Sequence, residues 1–470
     1  MIRYSHIQFI TNREVIDVSE TEERSAVAES AEKNEKAVEK KKRPDNKKPE
    51  KKYNLPRHKF WFGIGKPLTL AFLKVKANFK RTKNDLTERP YMILCNHACD
   101  LDPLMVINSV PGVVHALASD HLFKHPVFGK FVAHIASPIP IVRAQMDLKS
   151  IKEAMQVRKD GASLLIFPEA NCCFSSKTSY IAPATAKLVK QFKMPLALFN
   201  VRGSYLTKPR WSNSWRKGRT SCVLVRVIEP EELAVMSVDE IYSDICDALS
   251  FNEMEYQREN HFTFKGHDLL DGAERMLYQC PKCGKLMSMK SEGDSIYCTE
   301  CGYKVTMNSE GFLEGEDVIF DAFDKWDDWQ REQAVKLVSE GNYDASGETP
   351  VIITPVNELY KAKRAEKNVL MGEGSFALYC DRFVFDTQNA IETDAEGNTV
   401  DLGPKQFVWK FDDITKLSCV HKNRIQIAVG EKEYYEIHSQ STYRSAYAYM
   451  IYFYCLKRHA QGKELDFFGM

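Results

Sequence analysis

His97 and Asp102 stand five residues apart in the stretch ILCNHACDLDPLM, residues 93–105. A carboxylate on one imidazole nitrogen fixes the tautomer and stabilises the imidazolium, leaving the other nitrogen as a general base. A five-residue step turns a helix by about 500°, so the two side chains do not share a helix face. His97 follows the apolar run YMILC (91–95), and Asp102 precedes Pro103, a residue suited to the first turn of a helix. The spacing therefore predicts a strand–loop–helix in which the chain folds back and carries the carboxylate to the imidazole. Asp100 is a second candidate partner on spacing alone. The plainer alternative makes Asp102 a helix cap and His97 an ordinary loop residue.

The second constellation is CPKCGKLMSMKSEGDSIYCTECGY, with Cys280, Cys283, Cys298 and Cys301 in two C-x-x-C pairs, each followed by glycine. Such a knuckle presents two thiolates to one ion, and two knuckles on a hairpin make a closed tetrahedral site. Four thiolates leave no position for water, so the implied ion is a structural Zn2+ rather than a catalytic one. The stretch resembles a zinc ribbon. Zinc ribbons often serve nucleic-acid proteins, but the flanks here are mixed in charge and no basic–aromatic stripe follows. No nucleic acid is expected as a partner.

The chain has 13 cysteines, an odd number. Cys95, Cys222, Cys246, Cys419 and Cys455 lie in apolar runs and read as small buried hydrophobes, a reducing-compartment pattern rather than a disulfide framework. Cys172 and Cys173 raise the question of covalent chemistry; without an electropositive setting, buried thiols are the simpler reading.

Between Pro90 and Pro230, short apolar runs alternate with helical stretches. YMILC, ASLLIFPE (162–169), MPLALFNV (194–201) and SCVLVRVIEP (221–230) read as strands. DPLMVINSV, LKSIKEAMQVRKDG (148–161), ATAKLVKQFK (184–193) and residues 237–260 read as helices. This alternation predicts an α/β domain with a central, mostly parallel sheet. After the cysteine module comes an acidic, Trp-bearing helical stretch. From about Val351 to Glu436 the pattern turns to short alternating strands, and the aromatic helix SAYAYMIYFYCLKRH follows. A small β-barrel-like domain capped by a helix is expected. The aromatic helix reads as its plug. Lys416, His421, Lys422 and Arg424 lie near a predicted turn of this domain, and ordinary surface charge is their simpler reading.

The 470 residues, too many for one ordinary core, are 44% hydrophobic and 27% charged, with a net charge of +1, so the whole molecule is no polyanion binder. Residues 1–53 are lysine-rich with few large apolar side chains, and a disordered basic tail is expected. The next stretch, RHKFWFGIGKPLTLAFLKVKANFKR, is too short and too basic to span a bilayer. It suits either a lipid interface or a core helix packed on the following domain.

NHACDLD resembles the Asn-His-x-x-x-x-Asp block of the glycerolipid (1-acylglycerol-3-phosphate) acyltransferase family. The family's second block, a short strand ending in arginine, is matched by PIPIVRA through Arg143. The third, Phe-Pro-Glu-Gly, is matched by IFPEAN through Phe167, Pro168 and Glu169. The fourth, an apolar strand near a proline, is matched by KMPLALFNV through Pro195. Four blocks in order over roughly 58–250 are far more specific than any one. The resemblance implies that His97 deprotonates the acceptor hydroxyl and Asp102 orients it. Arg143 would hold an acidic head group, and Glu169 would help bind the acceptor or organise that arginine. After the glutamate the family has glycine, small polar residues and often arginine, whereas this chain has Ala170, Asn171, Cys172, Cys173 and Phe174. Arg202, with Lys208 and Arg210, is the candidate substitute; otherwise the head group differs from glycerol phosphate. The C-terminal strands and helix resemble a PH/GRAM-like domain by element order alone.

The expected organisation is a basic tail (1–53), an acyltransferase-like α/β domain (54–260), a zinc ribbon (275–310), a helical linker (311–350) and a PH/GRAM-like β domain with its helix (351–470). The expected protein is an O-acyltransferase, peripheral on the cytoplasmic face of a membrane. It would move a fatty acyl group from acyl-CoA or acyl-ACP to a lysophospholipid such as lysophosphatidate. A non-catalytic lipid- or protein-binding scaffold is the first alternative, favoured by EANCCF. A zinc-ribbon nucleic-acid-binding protein is the second.

Overall fold

The structure is a computed structural model that describes residues 55–119, 134–141, 148–362, 368–393, 399–430, 433–439 and 445–465. The expected basic tail and Arg143 lie outside the described residues.

The first sheet has seven strands: β1 (Phe79–Arg81), β2 (Met92–Cys95), β3 (Val114–Ser119), β4 (Ile139–Ile141), β5 (Ser163–Ile166), β6 (Leu196–Arg202) and β7 (Thr220–Ile228), in the order β1-β7-β6-β2-β5-β3-β4. Every neighbouring pair is parallel except β6 with β7. The central strands MILC and SLLI are buried along their whole length. Uninterrupted apolar strands of this kind need cover on both faces, as in parallel sheets. Helices supply it: α1 (Leu55–Ala77), α2 (Asp102–Ser109), α3 (Leu148–Lys159), α4 (Ala184–Phe192), α5 (Ser204–Thr207), α6 (Pro230–Val235), α7 (Val238–Leu249) and α8 (Glu253–Asn260). The expected single helix over 237–260 is thus two. Asn252 starts the second by accepting a bond from the Met254 amide at 3.0 Å, a capping role for which asparagine is favoured.

Helix α1 is buried on one face and exposed on the other. His58, Phe62, Leu73 and Ala77 are buried against the α/β core, and the Lys66 ammonium donates to the carbonyls of Val110 (2.6 Å) and Gly112 (2.8 Å). Phe60, Ile64, Leu68, Phe72 and Val75 are exposed. They recur at helical spacing and form an apolar stripe along the opposite side. No helix among the described residues is long and apolar enough to cross a membrane.

The cysteine module is a small antiparallel sheet of β8 (Met289–Glu292), β9 (Ser295–Cys298), β10 (Lys304–Met307) and β11 (Leu313–Glu314), followed by helix α9 (Phe323–Ser339). The C-terminal region comprises β12 (Ile352–Lys361), β13 (Val369–Leu378), β14 (Arg382–Thr387), β15 (Ile391–Thr393), β16 (Thr399–Asp401), β17 (Lys405–Lys410), β18 (Ile414–Val420), β19 (Arg424–Val429), β20 (Glu433–Ser439) and α10 (Ala446–Ala460). Seven of its strands form one antiparallel sheet ordered β17-β14-β13-β12-β20-β19-β18, and β15 pairs with β16 apart from it. No pairing closes β17 onto β18 among the described residues, so the expected barrel-like domain is a curled half-barrel and not a closed one. The aromatic helix α10 is buried along nearly its whole length and covers the sheet's inner side. Tyr449 Oη donates to the Phe376 carbonyl at 2.8 Å, giving this buried phenol its partner.

Candidate active site

The carboxyl ends of β2, β5 and β6 converge, the usual position for ligand sites in open α/β sheets. The loop after β2 starts with Asn96, whose side chain takes the place of a strand residue. It donates to the Val201 carbonyl (3.1 Å) and accepts from the Val201 amide (2.7 Å) on β6. His97 is then held through its backbone on both sides. Its amide donates to Glu169 Oε1 at 2.6 Å, and its carbonyl accepts from the Cys173 amide at 2.8 Å.

Asp102 opens α2 and is fully buried. Its Oδ2 accepts from His97 Nδ1 (3.0 Å) and from the amides of Ala98 (2.7 Å) and Cys99 (2.8 Å). Its other oxygen accepts from the Ser204 hydroxyl. The imidazole-partner reading of this aspartate is realised and the helix-cap reading is not: Leu101 holds the cap position without a side-chain bond, and the loop amides before the helix fold onto the Asp102 carboxylate and bring the ring with them. With Nδ1 directed at Asp102, Nε2 carries the free lone pair. Asp100 is not the partner. Its side chain is 80% exposed and pairs with Lys208 at 3.7 Å.

The His97 side chain is 16% exposed. Phe167 stacks on the ring with centroids 4.2 Å apart. Cys172 Sγ lies 3.4 Å from Nε2 and 3.7 Å from Nδ1. A thiol in the ring plane, on the Nε2 lone pair, would be much nearer one nitrogen than the other. Near equality puts the sulfur over the ring face, so it does not occupy the lone pair. Burial, then the charge of Asp100, pushes the Cys172 thiol well up, which argues against an activated nucleophile.

Glu169 is buried with both oxygens engaged by backbone, Oε2 accepting from the Ser179 amide at 2.6 Å. Burial raises its carboxyl to about 8, against the pull of those two amides. Buried Glu253 likewise accepts from the Gly203 amide, and burial raises it to about 8. A narrow cleft beside His97 is lined by Asn96, Glu169, Tyr205, Phe251 and Glu253.

The segment after Glu169 has a structural explanation. Ala170 has φ of +66°, a left-handed turn that glycine takes without strain and alanine takes at a cost of about 1 kcal/mol. Phe174 leaves the α/β domain altogether. It is buried within the C-terminal core and stacks on Tyr447 at 4.7 Å. Arg210 fixes the same junction. It donates to the carbonyls of Cys172 (3.0 Å), His421 (2.7 Å) and Cys419, and its guanidinium lies 4.2 Å from the Phe174 ring centre. Arg210 is thus committed to the interface between modules. Arg202 bonds Asn200 Oδ1 at 3.3 Å and lies over Phe251 and Tyr256. Lys208 lies over Trp215 at 4.3 Å.

The four thiols of Cys280, Cys283, Cys298 and Cys301 lie within 4.8 Å of one another. The Cys280–Cys301 and Cys283–Cys298 sulfurs are 3.6 and 3.8 Å apart. Zinc–sulfur bonds of about 2.3 Å put the sulfurs of a tetrahedron about 3.8 Å apart, so the donor set fits such an ion. Gly284 and Gly302, with φ of +72° and +71°, return their amides to the carbonyls of Cys280 (2.9 Å) and Cys298 (3.1 Å). Each knuckle is closed by a left-handed residue that glycine best supplies.

Residues 75–198 match the family model described as Acyltransferase, and residues 273–309 match a zinc-ribbon model described as DNA directed RNA polymerase, 7 kDa subunit. These matches make 75–198 an acyltransferase-family domain joined to a zinc-ribbon module. The chain is similar to a 1-acyl-sn-glycerol-3-phosphate acyltransferase of Cocos nucifera, 25% identical over 173 residues. That alignment covers 36% of this chain and 50% of the relative, so the chain spans about half the length of the curated relative it matches. Among solved structures, the 1-acyl-sn-glycerophosphate (LPA) acyltransferase PlsC from Thermotoga maritima superposes with a TM-score of 0.34 at 16% identity, covering 41% of this chain and 76% of that one.

Proposed function

We propose that the protein is an O-acyltransferase that moves a fatty acyl group from acyl-CoA or acyl-ACP to the hydroxyl of a lysophospholipid, with lysophosphatidate the first candidate. The observation that carries the reading is the His97 ring, held by Asp102 through Nδ1 at 3.0 Å with Nε2 left open, inside a segment matching the acyltransferase family. His97 Nε2 takes the proton of the acceptor hydroxyl, and the oxygen attacks the thioester carbonyl. The C–S bond breaks as the tetrahedral centre collapses, and the departing thiolate takes the proton back from the imidazolium. The thioester is already activated, so positioning and one well-placed base supply most of what the reaction needs. Glu169 holds the loop carrying His97 through backbone amides. Arg143, carried by the family's second block, takes the acidic head group, with Arg202 the further candidate. Zn2+ at the four cysteines is structural, and the C-terminal sheet is read as a PH/GRAM-like binding module.

The test is a purified-protein assay with labelled acyl-CoA and acyl-ACP against a panel of lysolipids. Phosphatidate formed from lysophosphatidate is the expected product. No transfer from either donor to any lysolipid would leave the scaffold reading in its place.

We further propose that the protein works on a membrane surface, held by α1. Its apolar stripe includes Leu68, 66% exposed, and lysines 59, 74 and 76 are exposed on the same helix. Apolar side chains flanked by cations suit an anionic lipid interface. Phe60→Ser, Leu68→Ser and Phe72→Ser together are expected to reduce co-sedimentation with anionic phospholipid vesicles at least about tenfold, since each removes apolar area worth roughly 1.5–3 kcal/mol when buried. Unchanged co-sedimentation would remove α1 as the anchor.

A further inference from the structure

Beside the candidate active site, cations from two modules meet on one neutral atom of a third. Asn213, in the segment after β6, accepts through a single Oδ1 from Lys422 Nζ at 2.7 Å and from Arg275 Nη1 at 3.1 Å. Lys422 belongs to the turn between β18 and β19, and Arg275 to a short 3-10 turn leading into the ribbon. Lys208, held between Asp100 and the Trp215 ring, is near enough for its charge to act on Lys422. Among the described residues neither Lys422 nor Arg275 has a carboxylate within ion-pair distance. The nearest acid, Asp271, accepts from the amide nitrogen of Asn213 at 2.8 Å. Arg275 Nη1 also donates to the Trp211 carbonyl at 2.7 Å, and among the described residues its Nη2 and Nε make no hydrogen bond.

Two cations sharing one amide oxygen repel each other, and the amide supplies no opposing charge. Burial, then the crowding of Arg275 and Lys208, lowers the Lys422 ammonium from its ordinary value; Asp271 and Asp100 act the other way but more weakly. An anion would reverse that crowding. The guanidinium offers a planar fork and the lysines two point charges, a combination suited to the several oxygens of one phosphate.

We propose that Lys422, Arg275 and Lys208, gathered around Asn213, form a binding site for a phosphate monoester. The site needs the C-terminal sheet, which supplies Lys422. It also adjoins the catalytic loop. The residue before Lys422, His421, gives its carbonyl to Arg210, and Arg210 holds Cys172, whose sulfur rests on the His97 ring. The phosphate comes from one of two sources, the head group of a lysophospholipid acceptor or a separate soluble phosphate ester. The binding claim stands apart from the acyl-transfer proposal.

The test titrates the full-length, zinc-loaded chain with inorganic phosphate and with glycerol 3-phosphate at low ionic strength, by calorimetry. Lys422→Gln and Arg275→Gln are compared with wild type and with Lys410→Gln, an exposed change on β17. Saturable wild-type binding, weakened at least about tenfold by either of the first two changes and unaltered by the third, is expected, since each change removes a charge-assisted hydrogen bond to the anion. Absence of saturable binding, or equal binding by all four proteins, overturns the site. Acceptor kinetics then assign the source. A KM for lysophosphatidate raised about tenfold in Lys422→Gln, with kcat held, identifies the acceptor head group. An unchanged KM beside lost phosphate binding identifies a separate ligand.

Discussion

His97→Ala is expected to lower acyl transfer about 10²–10⁴-fold, the range a positioned general base contributes. The change removes the ring that Asp102 orients, yet leaves the backbone bonds that hold the loop. The residue 97 amide still donates to Glu169, its carbonyl still accepts from Cys173, and Asp102 still gathers the amides of Ala98 and Cys99. Circular dichroism and metal content should therefore match wild type. The measurement is the rate of labelled lysophosphatidate acylation at saturating donor. Wild-type turnover in the variant would end the assignment of His97 as base.

Removing the ion from the four-cysteine site, or replacing Cys298 by serine, is expected to lower the melting temperature by about 10 °C or more. Structural zinc in small modules supplies roughly 10–16 kcal/mol of folding free energy at neutral pH. The ribbon does not melt alone. Cys280, Met289, Ile296 and Cys298 share one apolar cluster with Ala98, Cys173, Tyr205 and Trp211 of the α/β portion. Ala98 and Cys173 flank the His97 loop, so acyl transfer should fall together with stability. Metal analysis should give one zinc per chain in wild type and none in Cys298→Ser, with calorimetry reporting the transition. A chelated protein that melts where the loaded one does would show that the ion is not structural.

The pairing of His97 with Asp102 was legible because it is local: a strand end, a short loop and a proline two residues into a helix fix where both residues go. The four cysteines were legible for the same reason. Asn252 carried a signal that went unused, since an asparagine in the middle of a supposed helix marks a start as readily as an interior. The three-residue edge strand β1 gave too little periodicity to be read, and β3, one place in from the opposite edge, went unread as well. Other features depend on residues far apart in the chain. Ser204 reaches Asp102 across 102 positions, and Arg210 reaches Cys419 across 209. Spacing offers no signal for such contacts; they follow from how modules pack. The same packing explains the altered segment after Glu169. Phe174 breaks the family pattern because its environment is the core of another module.

That placement has a consequence for how the chain can be taken apart. Phe174 and Arg210 are rooted in one unit and satisfied by another. Expressing the α/β portion by itself would leave an aromatic ring bare and a guanidinium without two of its carbonyls, directly beside the residue proposed for catalysis. Exchanging the C-terminal sheet for an unrelated partner would do the same. The three units are better regarded as one inseparable machine than as beads on a string.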